Sequence, residues 1–252
     1  MASLKSFHIS ISATPQELGA LAAEKSAEII TQAIHARGHA RILVATGNSQ
    51  LEMMGNLAAK RLPWGKVDAF HLDEYVGISD QHPASFRRWI KNRFEDRVHP
   101  RTMEYFIGDA SDTGAEAARY AKLLQAAPID LAFVGFGENG HIAFNDPHVA
   151  DFNDPLAVKC VELDAACRAQ QVTEKHFPDM ASVPTHALTV TCSTLFRAEN
   201  WVCCIPEQRK ATAVQKALEG PLTTACPASV VRNHPRAFIY LDEQSSSQLN
   251  RR

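Results

Sequence analysis

The chain has 252 residues, 45% of them hydrophobic, which is enough to bury a substantial core without disulfide or metal staples. Its formal net charge of −2 provides no basic footprint for nucleic acid and no polybasic patch for a membrane surface. A small-molecule partner is the expectation.

In chain order, Met1-Ala2-Ser3-Leu4-Lys5-Ser6 has no apolar signal-like core and leads into an alternating, strand-like run over residues 7–11. An Ala/Glu-rich helix is expected over residues 15–37, a strand over 41–45 and a helix after Leu51. Residues 67–72 read as a strand, 85–94 as a helix, 115–126 as a helix ending before Pro128, and 129–134 as a strand. Farther on, residues 187–191, 201–205 and 237–241 read as strands, with helices near 163–175 and 208–219. Strand and helix taking turns predict an α/β fold with parallel crossovers, a three-layer αβα arrangement around a mostly parallel, Rossmann-like sheet.

No repeat or Ser/Gly linker interrupts the pattern, so one domain over residues 1–252 is expected. It would carry a lid-like loop near 146–180, whose first part (146–155) shows no clear element, and a polar tail from 242. The apolar runs are too short to span a bilayer. Cys160, Cys167, Cys192, Cys203, Cys204 and Cys226 show no Cys-x-x-Cys spacing and read as reduced, mostly buried thiols of a cytoplasmic protein.

Three strand ends carry polar chemistry. Gly135-Phe136-Gly137-Glu138-Asn139-Gly140-His141-Ile142-Ala143-Phe144-Asn145-Asp146-Pro147 follows the apolar run 129–134; His71-Leu72-Asp73-Glu74-Tyr75-Val76-Gly77 ends the run 67–72; Gly47-Asn48-Ser49 ends 42–44. Open parallel sheets bind ligands beyond the carboxyl ends of their strands, so the three predict one cleft. Gly47, Asn48 and Ser49 can aim N–H groups and a hydroxyl at an anion, or can be an ordinary turn with Ser49 as N-cap. Asp73 and Glu74, adjacent in a strand, must face opposite ways, so only one enters the cleft. A metal site on His71 and Asp73 is an alternative, set against a core histidine at position 71. His141 and Asp146 are spaced so that the carboxylate can orient the imidazole for proton transfer.

These segments resemble the glucosamine-6-phosphate deaminase/isomerase family, which shares its fold with 6-phosphogluconolactonases. Phe70 to Gly77 matches the family's aromatic-x-x-Asp-Glu-Tyr-Val-Gly segment. Residues 135–147 are similar to its Gly-x-Gly-x-Asp-Gly-His-Ile-Ala-Phe-Asn-Glu-Pro segment. Val183-Pro184-x-x-Ala187-Leu188-Thr189-Val190, and Lys210-Ala211 followed by Glu219-Gly220, extend the match over nearly the whole chain.

The resemblance implies conversion of glucosamine 6-phosphate to fructose 6-phosphate and ammonia, without metal or organic cofactor. Asp73 would carry a proton from C2 to C1, and His141, oriented by Asp146, would assist ring opening. Gly47, Asn48, Ser49 and Lys210 would hold the phosphate. The implied partner is a phosphorylated amino sugar, with a homo-oligomer allowed and neither nucleic acid nor membrane. Other readings are an enzyme for another amino-sugar phosphate such as galactosamine 6-phosphate, a lactonase-type hydrolase using His141, and a non-catalytic sugar-phosphate sensor.

The chain departs from the family at three places. Asn139 stands where the family has Asp before Gly-His, and Asp146 where it has Glu before Pro; both are carried as catalytic-site residues. For the family's second phosphate contact, an arginine, Arg168 lies nearby, whereas an ungapped reading puts Gln171 there. Residues 148–159 lack the serine- and basic-rich allosteric site of some members, so activation by an acetylated amino-sugar phosphate is not expected.

Overall fold

The computed structural model describes residues 7–250, and the reading of Met1 to Ser6 lies outside them. Ten strands form among these residues: β1 (His8–Ser12), β2 (Ala40–Val44), β3 (Val67–His71), β4 (Asp73–Tyr75), β5 (Thr102–Glu104), β6 (Leu131–Val134), β7 (Val158–Glu162), β8 (His186–Val190), β9 (Trp201–Ile205) and β10 (Ala237–Asp242). Seven build one parallel sheet in the order β1-β10-β9-β6-β2-β3-β5. The central β2, β6 and β9 are buried at every position, which is why they read as unbroken apolar runs and not as alternation.

The helices follow from the crossovers. Thr14 caps the helix Pro15–Arg37 by accepting from the Glu17 N–H, and proline at its first position fits the missing donor there. From β1 to β2, β2 to β3 and β3 to β5 the chain steps one way along the sheet; from β5 to β6, β6 to β9 and β9 to β10 it steps back. Right-handed crossovers therefore put Pro15–Arg37, Leu51–Ala58 and the helical segment 86–98 on one face, and Thr113–Gln125 and Ala211–Glu219 on the other. The expected helix over 85–94 is a turn of α-helix (Phe86–Ile90), a π-turn (Lys91–Glu95) and a final short turn (Asp96–Val98).

The alternation of strands and helices misses one layer. Residues 186–190 do not join the parallel sheet; β8 lies between β4 and β7 in a separate antiparallel sheet, with Asp73 opposite Thr189 and Val158 opposite Val190. This small sheet roofs a second apolar cluster that includes Tyr75, Phe86, Phe144, Leu163, Phe177 and Val183. Residues 243–250 of the polar tail are folded against the body of the protein. Asp242 accepts from the Glu207 and Ser245 N–H groups at 3.0 and 2.7 Å, and Asn250 bonds Glu219.

Candidate active site

Strands β2 and β6 are neighbours whose onward connections leave in opposite directions, which opens a crevice beyond their carboxyl ends. A cleft lies there. It is lined by Gly47, Asn48 and Ser49 after β2, Asp73 after β3, Gly137 and His141 after β6, and Lys210 after β9. The three polar strand ends expected to converge do so.

Asp73 and Glu74 divide as their alternation requires. The Glu74 carboxylate turns away from the cleft and caps the helix Phe86–Ile90, accepting from the Ser85 hydroxyl (2.8 Å) and the N–H groups of Phe86 (3.2 Å) and Arg87 (2.9 Å). Asp73 lines the cleft at only 6% exposure. Burial, with the Glu74 charge adding to it, pushes the Asp73 carboxyl up to about 8. His71 does not accompany it. Its ring is fully buried against Phe86, Tyr105 and Phe106, and both ring nitrogens lack a hydrogen-bond partner. Burial and nearby Arg87 drop it to about 3. It is a core histidine facing aromatic rings, so the His71–Asp73 metal alternative is set aside.

The glycines of the next loop place His141. The Gly137 N–H donates to the His141 carbonyl at 2.9 Å and the Gly140 N–H to the Gly137 carbonyl at 3.0 Å, closing a tight turn. A Cβ on Gly137 would lie 2.2–2.4 Å from three atoms of the His141 ring, so the imidazole packs directly on the glycine backbone. Nδ1 of that ring lies 3.0 Å from Asp146 Oδ1, an oblique contact that leaves Nδ1 without a well-directed bond. Catalytic contacts commonly align only once substrate is bound.

Asn139 joins this pair from below. Its Nδ2 donates to Asp146 Oδ1 and to Asp164 Oδ2, both at 3.0 Å, and its Oδ1 accepts from the His141 N–H at 3.0 Å. The Asp164 N–H donates to Asp146 Oδ2 at 3.1 Å. Burial pushes the Asp146 carboxyl up, but the His141 ring, Asn139 and the Asp164 N–H together outweigh it and hold it below its ordinary value. Ligand atoms of His141, Asp146 and Cys167 come within 4.8 Å of one another, as do those of Asp146, His148 and Asp164. Both Asp146 oxygens already take donors, from the Asn139 amide and the Asp164 N–H.

At the other end of the cleft Gly47 has φ +94°, a turn that leads β2 into a short 3₁₀ turn (Asn48–Gln50) and then the helix Leu51–Ala58. No side chain caps either helical start, so Ser49 is not an N-cap and faces the cleft with Asn48. Lys210 is 2% exposed, and its ammonium has no hydrogen-bonded or ion-paired partner among the described residues. Burial lowers its ammonium, while Glu174 pulls the other way. The charges of Glu138 and Glu207 also favour the ammonium, and that of Arg209 opposes it.

Arg168 does not belong to the site. Its guanidinium donates to the carbonyls of Met180 and Val183 at 2.6 and 2.9 Å, so it staples the segment after its own helix, Ala165–Thr173. Gln171, one turn on, lines the cleft with Gln170, Glu174 and His176. The ungapped reading pointed to Gln171; Glu174 and His176 carry no sequence motif, and Asp164 shows only as an N-cap before an apolar-periodic stretch.

The sequence profile of the glucosamine-6-phosphate isomerases/6-phosphogluconolactonase family matches residues 13–239. The chain belongs to that family. Among its relatives, a glucosamine-6-phosphate deaminase of Exiguobacterium sp. (strain ATCC BAA-1283 / AT1b) is 35% identical over 205 residues, 81% of this chain and 79% of its own. One of Bacillus thuringiensis (strain Al Hakam) is 32% identical over 234 residues, 93% of this chain and 86% of its own. A solved monomeric glucosamine-6-phosphate deaminase matches with a TM-score of 0.88 at 28% identity, covering 96% of this chain and 99% of that one. A 6-phosphogluconolactonase from Shewanella baltica OS155 shares the fold, with a TM-score of 0.78 at 20% identity over 94% and 98% of the two chains. The membership and the α/β architecture agree with the expectation from sequence. Among the described residues no helix is long and apolar enough to cross a membrane.

Proposed function

We propose that the protein is an amino-sugar-phosphate deaminase, converting glucosamine 6-phosphate and water to fructose 6-phosphate and ammonia. The observation that carries this is the meeting, in one cleft, of a buried carboxylate shifted to about 8, an imidazole–carboxylate pair and a buried ammonium without a partner. Deaminases among the relatives, at 32–35% identity over most of the chain, support it.

In this reading the phosphate rests on Lys210 and the Gly47-Asn48-Ser49 turn, with Ser49 offering its hydroxyl. His141, held by Gly137 and Asp146, gives a proton to the ring oxygen as the pyranose opens. The C1 hydroxyl gives its proton to the imidazole as the aldehyde forms; Asp73 then takes the proton from C2 while O1 regains a proton from His141, leaving an enolamine, and Asp73 returns its proton to C1. The electron pair of the broken C2–H bond passes through the double bond to the new C1–H bond, leaving an imine at C2. Water adds to that carbon and ammonia departs, giving the ketose. A carboxyl whose affinity for protons lies near that of the medium suits a step in which it must first accept and then give.

Release of ammonia and ketose phosphate, measured with glucosamine 6-phosphate and galactosamine 6-phosphate side by side, tests the reading and the choice of epimer. Hydrolysis of a phosphogluconolactone with no ammonia from either amino sugar would replace it by the lactonase reading. Binding of the sugar phosphates without turnover of any would replace it by the sensor reading.

A further inference from the structure

The cleft that holds Lys210 is also lined by two side chains that the proposed reaction does not use, Gln171 and His176. Gln171 Oε1 accepts from the Tyr75 hydroxyl at 2.6 Å and lies 3.0 Å from His176 Nδ1. A ring nitrogen that faces an accepting oxygen carries the proton, so His176 donates through Nδ1 to Gln171. Its other nitrogen, Nε2, lies 3.9 Å from Glu174 Oε2 and lines the same cleft as Lys210.

The charges here do not yet suit a phosphate ester. Arg209, next to Lys210, is taken up by three carboxylates: Glu174 at 2.5 Å, Glu207 at 2.6 Å and Glu138 at 3.0 Å. Gln170 also donates to Glu174, at 2.7 Å. Lys210 is then a single free positive charge for a group that carries close to two negative charges at neutral pH. Resting on the deaminase reading of the cleft, we infer that His176, presented by Gln171, is the second cation of the phosphate subsite and closes on the phosphate as an imidazolium through Nε2–H.

Protonation and binding are then linked. Burial holds His176 below its ordinary value; Glu174 pulls it up, while Arg209 and Arg93, the latter from the π-turn Lys91–Glu95, push it down. A bound phosphate adds negative charge on the side of Glu174, so it raises the proton affinity of the ring, and by reciprocity protonation tightens phosphate binding. The fixed Gln171 oxygen keeps Nδ1–H engaged in both states, so the proton that comes and goes is the one on Nε2. A permanent arginine would hold phosphate at every pH; this subsite loses grip as the ring deprotonates.

Calorimetric binding of inorganic phosphate and of fructose 6-phosphate, between about pH 5.5 and about pH 8.5 to span the histidine range, tests this. Wild type is compared at each pH with His176→Asn and His176→Lys, so that the titration of the phosphate itself cancels in the ratio, and thermal melts confirm that each variant is folded. The expected result is a wild-type advantage over His176→Asn of about tenfold or more at the acid end, vanishing at the alkaline end, with His176→Lys binding well throughout. Parallel curves for wild type and both variants would overturn the inference alone. Failure of the wild type to bind either phosphate at any pH would overturn the deaminase reading, and the inference with it.

Discussion

Asn139 Nδ2 lies 3.0 Å from Asp146 Oδ1, and it reaches this carboxylate as a donor. The same nitrogen holds Asp164 at 3.0 Å, so one neutral amide separates two acidic groups. An aspartate at 139, as in the family pattern, would place a third carboxylate among them and remove both hydrogen bonds. Asn139→Asp is therefore expected to slow turnover of the cyclic substrate, by up to about a hundredfold if the His141 ring shifts by about an ångström. Asp164→Asn added to it should recover most of the loss, because asparagine caps the helix Ala165–Thr173 equally well and supplies a donor to the new carboxylate. Steady-state rates of both variants on the pyranose check this, and an Asn139→Asp enzyme as fast as wild type would show that the amide is neutral.

Much of the site was legible because its strands are buried and apolar and end abruptly in glycine and charge, as β6 does before Gly135 and β3 does before Asp73. The opposite orientations of Asp73 and Glu74 followed from the two-residue period of a strand. What escaped was set by packing. Arg168 and Gln171 sit one turn apart on a helix, and charge alone favours the arginine, but the carbonyls of Met180 and Val183 claim it. β4 is three residues long and follows β3 after Leu72 alone, so nothing in its composition shows that it leaves the main sheet to pair with β8. Glu174 and His176 lie in a polar stretch like any solvated helix end, and only the fold turns them inward.

Asp73→Asn keeps the shape and cannot take the C2 proton. Turnover should fall by about 10²–10⁴-fold, and solvent deuterium exchange at C2 should disappear with it. Persistent exchange at C2 would assign the proton to another group.

In the proposed reaction the same carboxyl sets the pH profile. Its folded value of about 8 lies above the unfolded value near 4, so the protonated form is favoured in the fold. Its ionisation costs stability progressively as pH rises from about 4 to about 8. Two results follow: kcat/KM should climb with pH through a limb near 8 as the base is freed, and Asp73→Asn should melt a few degrees higher than wild type on the alkaline side. An acid limb below about pH 5 would contradict the assignment of this value to the catalytic base.

His71 works in the opposite direction. Its folded value of about 3 lies below the unfolded value near 6.5, so its contribution to stability is complete above about 6.5 and is lost as pH falls toward 3. His71→Leu, similar in volume and free of the two unpaired nitrogens, should flatten the dependence of stability on pH between those limits while leaving turnover near wild type. Denaturant melts at a series of acid pH values are the measurement, and an unchanged pH slope would mean that other groups govern acid unfolding.

Gly137→Ala isolates the placement of His141 from its chemistry. The new methyl would fall 2.2–2.4 Å from the ring atoms Cε1, Nδ1 and Nε2, well inside the separation of about 3.5 Å at which carbon atoms rest, so the ring has to move by about an ångström. The backbone at 137 needs no left-handed conformation, since its φ is not among the positive ones, and alanine is therefore compatible with the chain path there. The fold should survive, while the imidazole leaves both Asp146 and the substrate oxygen. Ring opening should slow by about a hundredfold. Proton exchange on the open-chain ketose, which needs Asp73 and not the ring, should change far less. Equal losses in both steps would show that the alanine disturbs the whole cleft, and full activity would show that His141 need not sit where Gly137 holds it.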